Sequence, residues 1–247
     1  LAARELRYEW FNELIEKHSF DYVLTAHHAD DNLETFLINL TRGTGLDGLI
    51  GIPEINGNIV RPLLKFSRKE ILTFAKENQI TWREDKSNAS TKYVRNKIRH
   101  KIAPILKEMN PNLLETFSKT IDNLKESKQI VEDKVGEVSL EIIKPLDSNL
   151  ANNSIKIDIQ KLQQLSNPKA YLYQILKDYN FTEWNDVYDL LSAQSGKQVF
   201  SKTHVLLKDR KFLMLSIRDF STALEMTFEV KENTSKIINP IHLKFEE

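Results

Sequence analysis

Apolar residues recur along this chain with two periods, and the switching between them predicts its layout. Between Ala2 and His18, Leu6, Trp10, Phe11 and Leu14 fall on one helical face, with Arg4, Glu5, Glu9, Glu13 and Lys17 mostly elsewhere. That is the pattern of a surface helix lying on a sheet. Tyr22, Val23 and Leu24 form a short apolar run suited to a strand buried on both faces, and polar residues begin at Thr25. Leu33, Phe36, Leu37 and Leu40 then return at helical spacing, and Asp31-x-x-Glu34 at the start resembles a capping box. This helix is expected to end at Arg42. Asn56-Gly57-Asn58 signals a turn, and Ile59 to Leu64 reads as a strand or extended segment whose Pro62 marks an edge or strand end. Ser67-x-x-Glu70 opens another helix, with Ile71, Leu72, Phe74 and Ala75 facing inward, and Ile80 to Trp82 suits a last short strand. Strand and helix alternate, which predicts a parallel sheet with helices on both faces.

Further on, Val94, Ile98, Ile102 and Ile105 mark the buried stripe of a helix that Pro104 should kink or end. Asn110-Pro111-Asn112 is a firm break, and a long helix with Leu113, Leu114, Phe117, Ile121 and Leu124 on one face runs to about Val135. From about Ile142 the pattern changes. Ile155, Ile157 and Ile159 alternate as a half-buried strand, and Pro168–Tyr179 and Glu183–Ala193 suit short helices. Gln198–Phe200, His204–Leu207 and Phe212–Leu215 read as antiparallel strands, with a turn at Asp209-Arg210. The expected organisation is an α/β domain over residues 1–106, a linker helix over 107–140 and a smaller α+β domain over 141–218. Residues 219–247, with strand-like stretches at Met226–Lys231 and Ile241–Phe245, suit the start of a further domain.

Charge sharpens the picture locally. Lys+Arg and Asp+Glu are both 35, so a nucleic-acid surface has to be a patch rather than a property of the whole chain. Between Asp85 and Glu108 there is no acid, yet Lys86, Lys92, Arg95, Lys97, Arg99, Lys101 and Lys107 occur. Arg95 and Arg99 lie one turn apart and suit neighbouring phosphates. With no cysteine, disulfides, thiolate metal sites and cysteine nucleophiles are excluded. No apolar run is long enough to span a bilayer, and the first residues form a charged amphipathic segment, so a cytoplasmic location without membrane contact is the expectation.

The chemistry concentrates in one strand–helix unit. His27, His28, Asp30, Asp31 and Glu34 follow the first strand at its carboxyl end, where open α/β sheets place ligands, and Gly43, Gly45, Gly48 and Gly51 form a glycine-rich loop after Arg42. Either feature alone is explained by helix capping and termination; together they are more polar equipment than packing needs.

Ala26-His27-His28-Ala29-Asp30-Asp31-Asn32-Leu33-Glu34-Thr35, followed by Arg42-Gly43-Thr44-Gly45-Leu46-Asp47-Gly48-Leu49, closely resembles the tRNA(Ile)-lysidine synthetase family of PP-loop ATP pyrophosphatases. The resemblance continues through Arg61-Pro62-Leu63-Leu64, Asp85-Lys86-Ser87-Asn88 and Arg95-Asn96-Lys97-Ile98-Arg99-His100, over roughly the first 110 residues. It implies a PP-loop, Rossmann-like fold and a ligase that uses ATP and Mg²⁺ to adenylate the wobble cytidine of the isoleucine tRNA with anticodon CAU. L-lysine is then attached to give lysidine, with AMP and diphosphate released, and the codon read changes from AUG to AUA. On this resemblance His27, His28, Asp31, Glu34 and Arg42 are candidate catalytic residues, with Asp31 or Glu34 also a candidate Mg²⁺ ligand. Arg7, Asp30, Thr35, Gly43, Thr44 and Gly45 are candidates for binding lysine or nucleotide. Arg61, Lys92, Arg95, Asn96, Arg99 and His100 are candidates for binding tRNA, and Ser195-Gly196-Lys197 resembles a turn of the family's tRNA-recognition domain. A homodimer is compatible with this reading.

The family's Ser-Gly-Gly-x-Asp-Ser loop does not occur in the 247 residues, which contain no Gly-Gly pair. A fragment without the ATP-binding loop, inactive by itself, is therefore expected. Two rival readings are a tRNA-binding scaffold without catalysis and another amide-forming PP-loop ligase. The absence of cysteine argues against the sulfur chemistry of tRNA-thiolating relatives.

Overall fold

The computed structural model describes residues 2–83, 93–145, 154–218, 236–237 and 243–244. It divides into two compact units, Leu1–Asp133 and Lys134–Glu247.

In the first unit, α1 (Ala2–His18) precedes a small sheet of β1 (Val23–Leu24), β2 (Ile55–Asn56) and β3 (Ile59–Val60). The strand order is β1-β3-β2, with β1 parallel to β3 and β2 antiparallel to β3. This sheet is mixed, not the parallel sheet expected. The Asn56-Gly57-Asn58 turn, with Gly57 at φ 56°, folds β3 straight back on β2 and fixes that pair as a hairpin. Ile80 to Trp82 form no strand. Because β1 lies at an edge, Tyr22 and Leu24 stay exposed, against the expectation of a strand buried on both faces. The apolar face of α1 is likewise open at Leu6 and Trp10.

The remaining helices of this unit are α2 (Ala29–Thr41), α3 (Leu46–Leu49), α4 (Arg68–Glu77), α5 (Val94–Lys97) and α6 (Ala103–Met109), followed by α7 (Leu113–Ile142). The capping box of α2 lies one turn earlier than the sequence suggests: His28 is the N-cap and Asp31, not Glu34, reaches back to it. That frees Glu34 for other work. Ser67 and Glu70 do form the expected box on α4, although Phe74 points outward. Leu33, Phe117 and Ile121 form the core with Phe36, Leu37, Leu113 and Leu114. Phe36 and Phe117 meet edge to face at 5.3 Å.

Helices α5 and α6 are joined by a π-helical turn, Ile98–Ile102, one residue wider per turn than an α-helix. The expected apolar stripe holds only at Ile98; Val94, Ile102 and Ile105 are exposed, and Asn96 and Ala103 are buried instead.

In the second unit the last turns of α7 lead into β4 (Ile143–Pro145), β5 (Ile155–Asp158), α8 (Ile159–Gln163), α9 (Pro168–Leu176) and α10 (Trp184–Asp189). Strands β6 (Gln198–Phe200), β7 (His204–Asp209) and β8 (Phe212–Ile217) complete an antiparallel sheet ordered β4-β5-β8-β7-β6. Ile159 opens α8 rather than closing the strand, because Asp158 accepts the Lys161 N–H as N-cap. Ile157, Val199, Leu206, Leu213 and Leu215 point to one face, where they pack with Leu162, Leu172, Leu176, Val187 and Leu190 from α8, α9 and α10. The period-two alternation therefore leaves the intervening side chains on the opposite face. Met226–Lys231 lies outside the described residues; Leu243–Lys244, within the other predicted stretch, pairs antiparallel with Lys236–Ile237.

Candidate functional site

The site is a ladder of ion pairs between α2 and the helical run from Val94 to Met109. Positions 95, 99, 103 and 107 rise at four-residue steps along one side of that run. Arg99 Nε donates to Glu34 Oε1 at 2.7 Å and its Nη2 to Oε2 at 2.9 Å, a bidentate clamp. The same Nη2 lies 3.1 Å from Asp31 Oδ1. Arg95 donates to Thr35 Oγ1 at 3.0 Å, and Thr35 in turn donates to the Asp31 carbonyl at 2.8 Å. Lys107 pairs with Asp30, whose second oxygen accepts the Arg68 N–H at 2.8 Å.

Glu34 is only 2% exposed, so its charge is stabilised almost wholly by Arg99. The hydrogen bond to Glu34, ahead of the opposing effect of burial and with the added charges of Glu34, Asp31 and Asp30, raises the affinity of the Arg99 guanidinium for its proton. For Asp30, burial alone would push the carboxyl up. The Arg68 amide, the Lys107 ammonium and His28 outweigh it and hold the group below its usual 3.8.

A carboxyl held lower in the folded than in the unfolded state contributes stability that is complete above its unfolded value and fades as pH falls through its folded one. Acid titration of the wild-type chain should therefore show stability draining away below about pH 4, and Asp30→Asn should flatten that segment of the curve. Urea unfolding at a series of pH values measures both slopes.

His28 is committed to the helix end. Its backbone N–H donates to Asp31 Oδ2 at 3.1 Å, and its Nδ1 accepts the Asp31 N–H at 3.3 Å. His27 Nδ1 lies 3.0 Å from Thr25 Oγ1. His28, Asp30, Leu33, Glu34, Arg68, Arg99 and Lys107 help to line a cavity of about 80 Å³, room for two or three waters.

The structure gathers His28, Asp30, Asp31, Glu34, Thr35, Arg95 and Arg99, and leaves others apart. Arg42, Gly43, Thr44 and Gly45 sit beyond the far end of α2, about 16 Å along the helix from Asp31 at 1.5 Å per residue. The glycine loop is instead packed on itself: Asn39 Nδ2 donates to the Gly48 carbonyl at 2.8 Å, and a Cβ on Gly48 would meet Thr44 Oγ1 at 1.9 Å. Gly51, at φ +76°, comes so close to Asn32 that a Cβ would meet its Oδ1 at 2.2 Å. That contact accompanies the Ile52 N–H donating to the same oxygen.

Among the candidate tRNA contacts, Arg61 is 6% exposed and donates to the Pro53 carbonyl at 2.7 Å, so it is a structural arginine rather than a surface cation. Asn96 is 8% exposed. Arg99 spends its guanidinium on Glu34 and Asp31 instead of reaching outward. His100 and Arg7 are exposed and Arg95 is half-buried, while Lys92 and the Asp85–Asn88 motif lie outside the described residues. Sequence reasoning missed Lys107 and the Arg68 amide as partners of Asp30. The four-residue spacing from Arg95 through Arg99 and Ala103 to Lys107 was the available signal.

Among the described residues no group of three or more His, Cys, Asp or Glu side chains is placed to hold a metal ion. With their oxygens facing Arg99 and His28, Asp31 and Glu34 do not make a Mg²⁺ site by themselves. No helix of the described residues is long and apolar enough to cross a membrane.

Comparison with known proteins gives this arrangement its context. Residues 1–106 match the model of the PP-loop domain, and residues 150–218 that of the TilS substrate binding domain. The chain thus carries a PP-loop domain, the class to which ATP use belongs. Proteins called tRNA(Ile)-lysidine synthase resemble it over nearly its whole length. That of Parabacteroides distasonis is 36% identical over 242 residues, 97% of this chain and 51% of the relative. That of Porphyromonas gingivalis is 40% identical over 213 residues, 85% of this chain and 45% of the relative. The chain belongs to the tRNA(Ile)-lysidine synthase family, and it spans about half the length of the curated relatives it matches. A solved structure, the U34-tRNA thiolase NcsA from Methanococcus maripaludis, aligns over 50% of this chain and 43% of its own at TM-score 0.41 and 18% identity, too distant to bear on the assignment.

Proposed function

We propose that this chain is part of a cytoplasmic ATP-dependent ligase that attaches lysine to the wobble cytidine of the isoleucine tRNA with a CAU anticodon, forming lysidine, AMP and diphosphate. Family membership supports the reaction. The observation that carries the reading at residue level is the convergence of Asp30, Asp31 and Glu34 at the start of α2, where Asp30 and Glu34 line one small cavity and Asp31 joins Glu34 on the Arg99 guanidinium.

Lysine brings two amines to such a site, and both need acceptors when protonated. A carboxylate has about four lone-pair positions, so Asp31 and Glu34 retain acceptor capacity beyond the bonds from Arg99 and His28. The cavity is too small for an amino acid as it stands, and admitting lysine requires the Arg99 helix to give way or share its acceptors. The attacking amine acts only after losing its proton. His28 lines the cavity and His27 precedes it, and one of these two imidazoles takes that proton. The new N–C bond forms at the cytidine carbon that carries AMP as the bond to AMP breaks. ATP use follows from the PP-loop class, and no step is assigned to Mg²⁺.

The test is Asp31→Ala in the intact enzyme. Lysine incorporation into the tRNA transcript should fall by at least about a thousandfold, while far-ultraviolet circular dichroism shows the helical fold retained. Near-normal turnover would remove Asp31 from the site.

A further inference from the structure

We propose that Lys107 is a resident stand-in for the ammonium group of the substrate: its side chain occupies the cation subsite at Asp30, and lysine binds there only by displacing it. The inference rests on the lysine-ligase reading, since that reading supplies the competing amine; the occupied subsite comes from the geometry itself.

The carboxylates at the start of α2 already face cations of the chain's own. Glu34 and Asp31 meet Arg99, and Asp30 meets Lys107. Asp30, Glu34, Arg99 and Lys107 line the same cavity of about 80 Å³. A further ammonium brought into so small a space is repelled by both cations. It therefore has to take an acceptor from one of them.

The two cations differ in how readily they let go. Arg99 donates through Nε at 2.7 Å and Nη2 at 2.9 Å to Glu34, which is 2% exposed. Breaking that clamp strands a buried charge. Among the described residues Lys107 has one hydrogen-bond partner, Asp30, and its side chain is 40% exposed. The ammonium swings into water on a flexible four-carbon stem and recovers its hydration, and an ion pair this open adds little to stability. Lys107 is the one that yields.

Asp30 stays in place when Lys107 leaves. Its Oδ2 accepts the Arg68 N–H at 2.8 Å and lies 3.8 Å from His28 Nδ1, while Oδ1 is the atom that Lys107 gives up. The departing and arriving groups are both primary ammonium ions on aliphatic chains, so the exchange needs no new hydrogen-bond geometry.

Specificity follows from the tether. A side chain fixed to the protein competes at an effective concentration of millimolar order or above. A simple monoamine offers Asp30 nothing that Lys107 does not already supply. Free lysine brings a second amine and a carboxylate, and these further contacts let it win the exchange. Lys107 thus screens out ligands that are amines and no more.

The experiment measures lysine affinity by calorimetry, together with KM and kcat for lysidine formation, in the intact enzyme and its variants at position 107. Lys107→Met keeps the aliphatic stem and removes the ammonium. It should lower the Kd and KM for lysine about fivefold, acting on KM rather than kcat, and strengthen competitive inhibition by n-butylamine by a similar factor. Lys107→Arg, whose guanidinium grips a carboxylate more firmly, should move all three the other way. In an Asp30→Asn background the residue at 107 should cease to matter. Unchanged or weakened lysine binding by folded Lys107→Met would overturn the proposal, leaving Lys107 as a support for Asp30 or a bystander. If Lys107→Met unfolds, Lys107→Arg decides alone, and an unaltered KM there is equally fatal. Failure of the ligase reading shows elsewhere, as absence of lysidine formation by the wild-type intact enzyme.

Discussion

Replacing Glu34 by Ala should lower the unfolding free energy of the chain by about 3–5 kcal/mol, the cost of removing one member of a buried, hydrogen-bonded ion pair. The magnitude follows from what stays behind. The Arg99 side chain is 19% exposed and loses both oxygens of its clamp, while Asp31 Oδ1 stays 3.1 Å away. Arg99→Ala should cost a similar amount by stranding Glu34. The double variant should cost much less than the sum, because neither orphaned charge then remains. Urea unfolding of the four proteins closes the cycle, and additive effects would mean that the clamp contributes nothing cooperative. In the intact enzyme Glu34→Ala should also end lysine transfer.

Leu213→Ala should destabilise the second unit by about 2–5 kcal/mol. Leu213 lies on β8 between β5 and β7, pairs in register with Ile157 and Lys208, and is fully buried in the core beneath the sheet. The cavity left behind is walled by strands on both sides and by the helices that pack on that face, so it has little room to collapse. Chemical denaturation followed by circular dichroism reads the loss. A change below about 1 kcal/mol would mean that the sheet repacks.

The two units differ in how openly their sequences declare them. In the second, alternation at Phe212–Ile217 and His204–Asp209 is strict because one face alone is packed, and those two strands were legible to within two residues, whereas the short edge strand Ile143–Pro145 carried no such signal. In the first, the local signals were present but their partners were not. Asn56-Gly57-Asn58 announces a hairpin, yet nothing local says that β3 also runs parallel to β1. The stripe Val94–Ile98–Ile102–Ile105 has good helical spacing, and it was overridden because Arg99 and Lys107 have buried carboxylates to satisfy. An ion pair that would otherwise be stranded outweighs a few half-exposed aliphatic side chains. The same competition explains the site. His28, Asp31 and Glu34 were visible as chemistry-bearing residues, whereas their clamp by Arg99, 65 positions away in the chain, is a tertiary fact.

The wide turn at Ile98–Ile102 holds, in effect, one amino acid too many for its helix, and this surplus sets the phase between the two ends. Excising a single residue there would rewind the spiral and swing everything beyond it by about 100°. Lys107 would then face away from Asp30 although neither had been altered. The electrostatics of α2 are thus encoded in spacing as much as in residue identity.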